Sequence, residues 1–284
     1  MANNIQILSH FVPIMDEKYT KESLTAVLDT PEAQLLANGK MQLPKLTSSG
    51  FRNHTRAGGG QYKRGNVQFE TVEVAPNYDR SIIMGVDYLD NTQTADVAFG
   101  KLSNYFITHQ EVPEVDAWRF AQYANITGVE KLAKVKPADG LEAIEDLRKI
   151  RTYFDNNKVP ETERVLYGTP EAINAIEDMQ TIESRAALNS FGLVIKVPQD
   201  LFMDKITLLD DEDGGWERPV GAKNITFLGI HKSAIIQGNF HRAPKFIPAD
   251  GNQNADGHEF ALRLAGIVHV FEEKTEGVYV QTEE

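Results

Sequence analysis

The chain contains, at residues 40–74, the stretch KMQLPKLTSSGFRNHTRAGGGQYKRGNVQFETVEV, and the rest of the fold depends on what this stretch does. Its two flanks alternate apolar and polar residues, with Met41, Leu43 and Leu46 before the centre and Val67 and Phe69 after it. Such a period of two is typical of β-strands. The centre is polar and contains three consecutive glycines, Gly58 to Gly60. We therefore predict a long β-hairpin with a mobile tip.

A hairpin of this kind needs a surface to lie on, because two strands alone bury too little apolar area to offset the loss of chain entropy. That surface belongs either to the same chain or to a neighbouring copy. The tip is basic, although the chain has a formal net charge of -12. The tip residues are Arg52, His54, Arg56, Lys63 and Arg64.

A positive arm on a negative body favours contact between copies of the same chain. The candidate acidic partners lie in two places along the sequence. They are Glu111, Glu114 and Asp116 in a predicted long helix, and Asp210, Asp211 and Asp213 in a predicted loop.

The composition describes an ordinary globular protein, with 284 residues, 41% of them hydrophobic and 25% charged. No cysteine is present, so a disulfide, a thiolate nucleophile and a cysteine-ligated metal are all excluded. No apolar run approaches the roughly 20 residues that span a bilayer, so we predict no membrane contact. The negative net charge argues against tight binding of duplex DNA, because such binding needs a basic face.

The pattern after the hairpin predicts an α+β fold. A short helix precedes the hairpin at residues 16–28, and a short strand follows it at residues 81–84. A helical stripe then runs from Thr92 to about Tyr123, which we call the spine helix; Pro113 interrupts it and should kink it.

Alternating helices and strands predict a compact α/β domain at about residues 140–238. Asp139 and Glu142 form a capping box before one helix, whose apolar stripe runs from Leu141 to Phe154. Thr169 and Pro170 begin the next helix. The chain closes with predicted strands at residues 245–248, 259–271 and 278–280.

No motif predicts a catalytic residue, a metal site or a bound cofactor. The glycine-rich tip lacks the Lys-Ser or Lys-Thr pair of a phosphate loop, and neither HExxH nor GxSxG occurs. Asp250, Asn252, Asn254 and Asp256 have the alternate spacing of a calcium loop. However, Ala255 and Ala261 replace the glycine and glutamate that such a loop needs, so we interpret the segment as a turn.

The order of these parts resembles the major capsid proteins of tailed bacteriophages over nearly the whole chain. The segments that carry the resemblance are LPKL at 43–46 with FET at 69–71, VPEVDAWRF at 112–120, VLY at 165–167 with TPEA at 169–172, VIKVP at 194–198, GIHKSA at 229–234 and FIP at 246–248. None of these segments is diagnostic alone. Their order and spacing together make the likeness.

The resemblance implies the following parts: an N-terminal arm (1–38), an extended hairpin loop (39–80), a peripheral domain with the spine helix (81–139 and 239–275), a compact axial domain (140–238) and a C-terminal strand and tail (276–284). It also implies hexamers and pentamers that close into an icosahedral head around double-stranded DNA. The turn at Asp250–Asp256 would then lie near a symmetry axis. Scaffolding and portal proteins would be partners, and assembly would take place in the bacterial host cytoplasm.

Two alternatives remain open at this point. One is an encapsulin-like shell of a cellular nanocompartment with the same fold. The other belongs to a different class, an acidic soluble hydrolase that uses a carboxylate pair or a loop-bound metal, since the separation of carboxylates in space cannot be obtained from sequence.

Overall fold

The computed structural model describes residues 22–30, 40–54, 62–88, 97–211, 214–253 and 255–284. Its α-helices are α1 (Val97–Phe106), α2 (Val112–Asn125), α3 (Gly140–Asn156), α4 (Pro170–Asp178) and α5 (Ile182–Asn189). Its strands are β1 (Met41–Ser48), β2 (Val67–Val74), β3 (Tyr78–Asp87), β4 (Glu130–Ala133), β5 (Arg164–Gly168), β6 (Leu193–Lys196), β7 (Thr207–Leu208), β8 (Trp216–Glu217), β9 (Ile225–His231), β10 (Ile235–Ile247), β11 (Gly257–Val270) and β12 (Val278–Thr282). The mixture confirms the predicted α+β class.

The predicted hairpin is present. Strands β1 and β2 pair antiparallel, from Met41 opposite Val74 to Ser48 opposite Val67. One more hydrogen bond, from the Ser49 amide to the Asn66 carbonyl at 2.9 Å, continues the ladder toward the tip. Within the predicted mobile tip, residues 47–65, the segment 55–61 lies outside the described residues.

A three-stranded antiparallel sheet in the order β10–β11–β3 supports the base of the hairpin. Its strands are longer than the predicted segments at 81–84 and 245–248. In β10 the apolar alternation is broken where the register shifts between Asn239 and His241, so the sequence signal is lost there. Pro244 is tolerated because β10 is an edge strand, where a missing N–H costs no ladder bond.

The spine helix is described from residue 97, and its predicted start at Thr92 lies outside the described residues. Helices α1 and α2 are joined without a break by one turn of π-helix, Ile107–Glu111. Pro113 is the second residue of α2, and its ring would clash with the carbonyl of His109 in a regular helix. The interruption predicted at this proline is therefore a widened turn just before it.

Helix α2 packs between the two larger sheets. Trp118 and Tyr123 are buried in one cluster with Leu264 of the three-stranded sheet and with Leu228 and Val280 of a second sheet. That second sheet has five strands in the order β4–β12–β9–β5–β6. The same helix thus joins the two halves of the molecule through one apolar core.

The five-stranded sheet carries α3 and α4 on one side. Ile144, Leu147 and Phe154 of α3 pack with Leu166 and Phe227 of the sheet, as the apolar stripe predicts. Leu141 was predicted in the same stripe but is 58% exposed, because it lies in the first turn, beyond the edge of that contact. The side chains of Asp139 and Thr169 cap α3 and α4 as predicted. Helix α5 was not predicted.

Two strands of this sheet fall outside the predicted axial domain of residues 140–238. Strand β12 lies between β9 and β4, antiparallel to the first and parallel to the second. The predicted limits at residues 140 and 276 therefore cut through a hydrogen-bonded sheet. The pairing partner of a five-residue strand depends on long-range contacts, which the sequence pattern does not contain.

The short helix predicted at residues 16–28 can be compared only in part, because residues 16–21 are not described. In the described part, residues 22–30, a 3-10 turn at Ala26–Leu28 takes its place.

Candidate assembly surfaces

The base of the hairpin is fixed to its own chain by apolar contacts. Met41 and Leu43 are only 4% and 7% exposed and pack against Ile236 of β10 and Ile267 of β11. Lys45 is the next residue of β1 on the same face, toward the tip. It forms ion pairs with Glu272 at 3.0 Å and Glu273 at 2.8 Å. These carboxylates raise the pKa of Lys45, so the lysine stays charged. A cleft of about 250 Å³ lies between this part of the hairpin and the body.

The outer half of the hairpin has no such support among the described residues. Leu46, Val67 and Phe69 are 66%, 72% and 67% exposed. Monomeric proteins rarely leave clustered large apolar side chains in water without a binding purpose. The hairpin is therefore anchored at one end and uncovered at the other.

The tip residues predicted to contact a neighbouring copy are exposed where they are described. Arg52, His54, Lys63 and Arg64 all lie on the surface, and Arg56 lies outside the described residues. Within the described part of the chain, Arg52, Lys63 and Arg64 form no ion pair. The tip also exposes Phe51 and Tyr62, which precede Arg52 and Lys63 in the sequence.

The acidic residues of the spine helix already have partners within the chain. Glu111 accepts hydrogen bonds from Arg242 Nε at 2.9 Å and Nη2 at 3.1 Å. Glu114 accepts from the Tyr78 hydroxyl at 2.8 Å and from Arg80 Nε at 3.1 Å. Burial and the adjacent carboxylate raise the pKa of Tyr78. These two residues are therefore weaker candidates for a contact with the basic tip than the sequence indicates.

The prediction that Asp116 meets a neighbouring copy is wrong for this conformation, because its side chain is buried, with 1% exposure. Its Oδ1 accepts from Ser23 Oγ at 2.9 Å and from Thr25 Oγ1 at 2.5 Å, and its Oδ2 accepts from the Leu24 amide at 2.7 Å. Asp116 therefore holds the end of the N-terminal arm against the spine helix.

Two further side chains complete this anchor, and sequence reasoning missed both. Arg119 donates to Thr25 Oγ1 at 2.9 Å and pairs with Asp29 at 3.1 Å. Gln237 of β10 donates to the Thr25 carbonyl and to Asp29, both at 2.8 Å. The available signal was a pair of charged residues, Asp116 and Arg119, at helical spacing inside an otherwise apolar run.

Arg80 of β3 connects three parts of the fold. Besides Glu114, it donates to the carbonyls of Leu209 at 2.6 Å and Gly215 at 3.0 Å. These carbonyls flank the predicted acidic loop, so a single guanidinium fixes the loop against the spine helix and the three-stranded sheet.

In that loop Asp210 and Asp211 are exposed, and Asp213 lies outside the described residues. Of the acidic candidates that the structure describes, these two are the ones accessible on the surface. The turn at residues 250–256 is also a surface feature, with a 3-10 turn at Ala249–Gly251. Asn252 holds it through hydrogen bonds to Ala255 and Gly257, Asp250 and Asp256 are exposed, and Asn254 is outside the described residues.

His231, which is buried, and His269, which is partly buried, have lowered pKa values. Burial lowers the pKa of His231 and of His269 by disfavouring the charged imidazolium. In the described structure His231 Nε2 has no hydrogen-bond partner, while Nδ1 accepts from the Ser233 amide at 3.3 Å.

Over the described residues, no group of three or more metal-ligating side chains comes together. Within the same ranges, none of the helices combines the length and apolar character needed to cross a membrane.

Comparison with known proteins gives no match to a family model and none to a curated protein. Solved structures do match. The mature capsid of bacteriophage PhiM1 matches with a TM-score of 0.69 at 10% identity, covering 97% of this chain and 91% of that chain. The capsid of cyanophage P-SCSP1u matches with 0.64 at 15% identity, covering 98% and 93%. A virus-like particle from Pyrococcus furiosus matches with 0.52 at 10% identity, covering 86% of each chain.

Sequence identity at this level carries information on the fold alone. The alignments with both phage proteins cover nearly the full length of both chains, so they include the hairpin, the spine helix and both larger sheets. The likeness expected from the order of the sequence segments is confirmed for the fold. This chain has the major-capsid fold of the tailed bacteriophages.

Proposed function

We propose that the chain is the structural subunit of a closed protein shell that many copies build together, with no catalytic role. The observation that carries this proposal is the full-length match to phage capsid structures. The hairpin supports it independently, because a chain that folds for itself alone gains nothing from leaving Leu46 and Phe69 in water.

In its finer form, the proposal is a phage head of hexamers and pentamers around double-stranded DNA, assembled in the host cytoplasm with scaffolding and portal proteins. A hairpin that reaches onto the next copy forms a head-to-tail contact, and such contacts generate closed rings. Many weak contacts of this type add up through multivalency. The net charge of -12 would keep packaged DNA from adhering to the wall.

A second candidate is a shell of cellular origin, such as a nanocompartment. The virus-like particle from Pyrococcus furiosus has the same fold, although with a lower TM-score than the two phage capsids. The content of the particle separates the two candidates. Nuclease-protected double-stranded DNA in particles from infected cells supports the phage head, and a protein cargo in uninfected cells supports the cage.

The test of the shell itself is expression of the full chain followed by size-exclusion chromatography and electron microscopy. We expect rings of subunits or particles in the megadalton range. A chain that remains monomeric at every concentration, with and without co-expressed phage scaffolding protein, would contradict the proposal.

A further inference from the structure

The hairpin is attached to the body by an apolar contact at its base, which we call the base contact. Met41 and Leu43 are buried there and pack against Ile236 of β10 and Ile267 of β11. The two strands stay paired from this contact outward to Ser48, so the hairpin is one continuous ladder. A ladder that is held at one end can tilt as a unit about that end, unless a second contact fixes its angle to the body.

Lys45 supplies this second contact. Its Nζ lies 3.0 Å from Glu272 Oε2 and 2.8 Å from Glu273 Oε1, and we call this arrangement the double ion pair. From Leu46 to Ser48, every residue of β1 is exposed. The double ion pair therefore lies at the point where the hairpin leaves the body.

The two carboxylates belong to a turn that is itself bonded to the body. This is the 3-10 turn Glu272–Gly277, which follows β11. Just before it, the Phe271 amide donates to the Ala234 carbonyl at 3.0 Å. Within it, Lys274 Nζ donates to the Ser233 carbonyl at 2.9 Å, so its charge is directed at the body and not at the two carboxylates. Lys45 is thus paired with groups whose position does not depend on the hairpin.

Space for a tilt exists between the hairpin and the body. The cleft of about 250 Å³ described above is lined by Leu43 and Val72 of the hairpin and by Phe271 of the body, and Lys45 lines it too. Packed side chains resist displacement, because protein interiors are filled about as densely as organic crystals. An open cleft beside the base contact therefore lets the hairpin change its angle without disturbing the core.

We propose that Lys45 is the positioning residue of the hairpin. The double ion pair holds the hairpin at one angle to the body, and when this pair opens, the hairpin tilts about the base contact while the fold stays intact. The carboxylate side chains are 61% and 66% exposed, so solvent and salt compete for them. The base contact is apolar and does not depend on charge. The direction of the hairpin should therefore depend on ionic strength.

The absence of cysteine from the chain allows a direct measurement on unassembled subunits. Ser48→Cys on the hairpin and Lys232→Cys on the body place thiols for spin labels at two exposed positions. Pulsed electron paramagnetic resonance then gives the distribution of distances between the labels. We expect a narrow distribution in low salt and one that is roughly twofold wider or more in about 1 M sodium chloride, where the Debye length is about 3 Å.

Variants of the lysine identify the group responsible. Lys45→Gln should broaden the distribution in low salt as much as high salt does in the unmodified chain, whereas Lys45→Arg keeps the charge and should leave it narrow. The matched control is Lys40→Gln. Lys40 pairs with Glu73 at 2.9 Å, and both residues belong to the hairpin segment 40–74, so that ion pair cannot fix the angle to the body. The control should keep the narrow distribution.

A charge reversal separates positioning from a change in packing. Lys45→Glu alone should broaden the distribution, and the addition of Glu272→Lys and Glu273→Lys should narrow it again. Equal, narrow distributions for Lys45→Gln and Lys40→Gln in low salt would show that the double ion pair does not set the angle. If Lys45→Gln speeds amide exchange in β1 as much as Leu43→Ala does, the base contact is lost as well and the proposed tilt is wrong. Because all these measurements use unassembled subunits, the inference stands or fails independently of the shell function.

Discussion

Asp116 has a different role in the structure from the one that the sequence predicts. Its carboxylate is buried and accepts hydrogen bonds from the segment at residues 23–25, and the Thr25 hydroxyl links it to the Arg119 guanidinium. A buried charge is tolerated only when it is paired and hydrogen-bonded. The described part of the N-terminal arm, residues 22–30, is therefore held by a specific polar contact in addition to apolar packing.

Replacing this carboxylate should release the arm. Asp116→Asn keeps the shape but removes the charge, and its amide nitrogen cannot accept the hydrogen bonds that Ser23, Leu24 and Thr25 donate to the carboxylate. We expect the free energy of unfolding to fall by about 2 kcal/mol and limited proteolysis near residues 22–30 to become faster. Glu145→Gln, at an exposed position of α3, is the control and should change neither measurement. A melting temperature equal to that of the control would show that Asp116 does not anchor the arm.

His231 should make stability depend on pH. Its pKa in the folded chain is lowered by burial, against about 6.5 in the unfolded chain. The folded state thus binds fewer protons, so the contribution of His231 to stability is complete above pH 6.5 and is lost as the pH falls toward the folded pKa. The charges facing it are Glu163, Arg164 and Lys274, and they do not reverse this direction.

The measurement is the melting temperature as a function of pH through the range just below 6.5. His231→Asn retains an acceptor for the Ser233 amide but cannot titrate, so its melting temperature should fall less steeply than that of the unmodified chain. For a single group, the free energy of unfolding changes with pH by at most about 1.4 kcal/mol per pH unit, and the substitution removes no more than this contribution. The control His54→Asn, at the exposed tip, should keep the original slope. Identical slopes in all three proteins would rule out His231 as the titrating group.

Local patterns predicted the individual elements better than their contacts. The alternation around residues 41–46 and 67–69 predicted both strands of the hairpin, and the caps Asp139 and Thr169 predicted two helix starts. The same alternation grouped Leu46 with Met41 and Leu43, although the odd spacing places it on the other face. The first part of β10 was not predicted because its register shift hides the period, and α5 was not predicted because only Ser184 of its eight residues is buried.

The hairpin should respond differently to substitutions in its two halves. Leu43→Ala removes a buried contact with the three-stranded sheet, and we expect a loss of about 2–3 kcal/mol together with faster amide exchange in β1. Leu46→Ala, three residues away and exposed, should change the stability of the unassembled chain by less than about 0.5 kcal/mol. Equal losses for both variants would mean that the base does not anchor the hairpin.

Over the entire chain, the charge distribution should govern association more than folding. The triple variant Arg52→Glu, Lys63→Glu and Arg64→Glu changes only exposed side chains of the tip. We expect its melting temperature to match that of the unmodified chain and its assembly to be blocked, because surface charges contribute little to stability but steer association.

The matched control has the same charge change at exposed lysines elsewhere: Lys131→Glu, Lys205→Glu and Lys223→Glu. It should assemble, as judged by sedimentation of particles. Loss of assembly in both triple variants would assign the effect to net charge and remove the proposed role of the tip.

The position of β12 has a consequence for how the chain is made. The strand fills the gap between β4 and β9, so the five-stranded sheet cannot close until residue 282 has left the ribosome. Nascent chains that have already exposed the hairpin still lack a finished body for another hairpin to bind. Translation itself would thus delay the joining of subunits until each polypeptide is complete through its last strand.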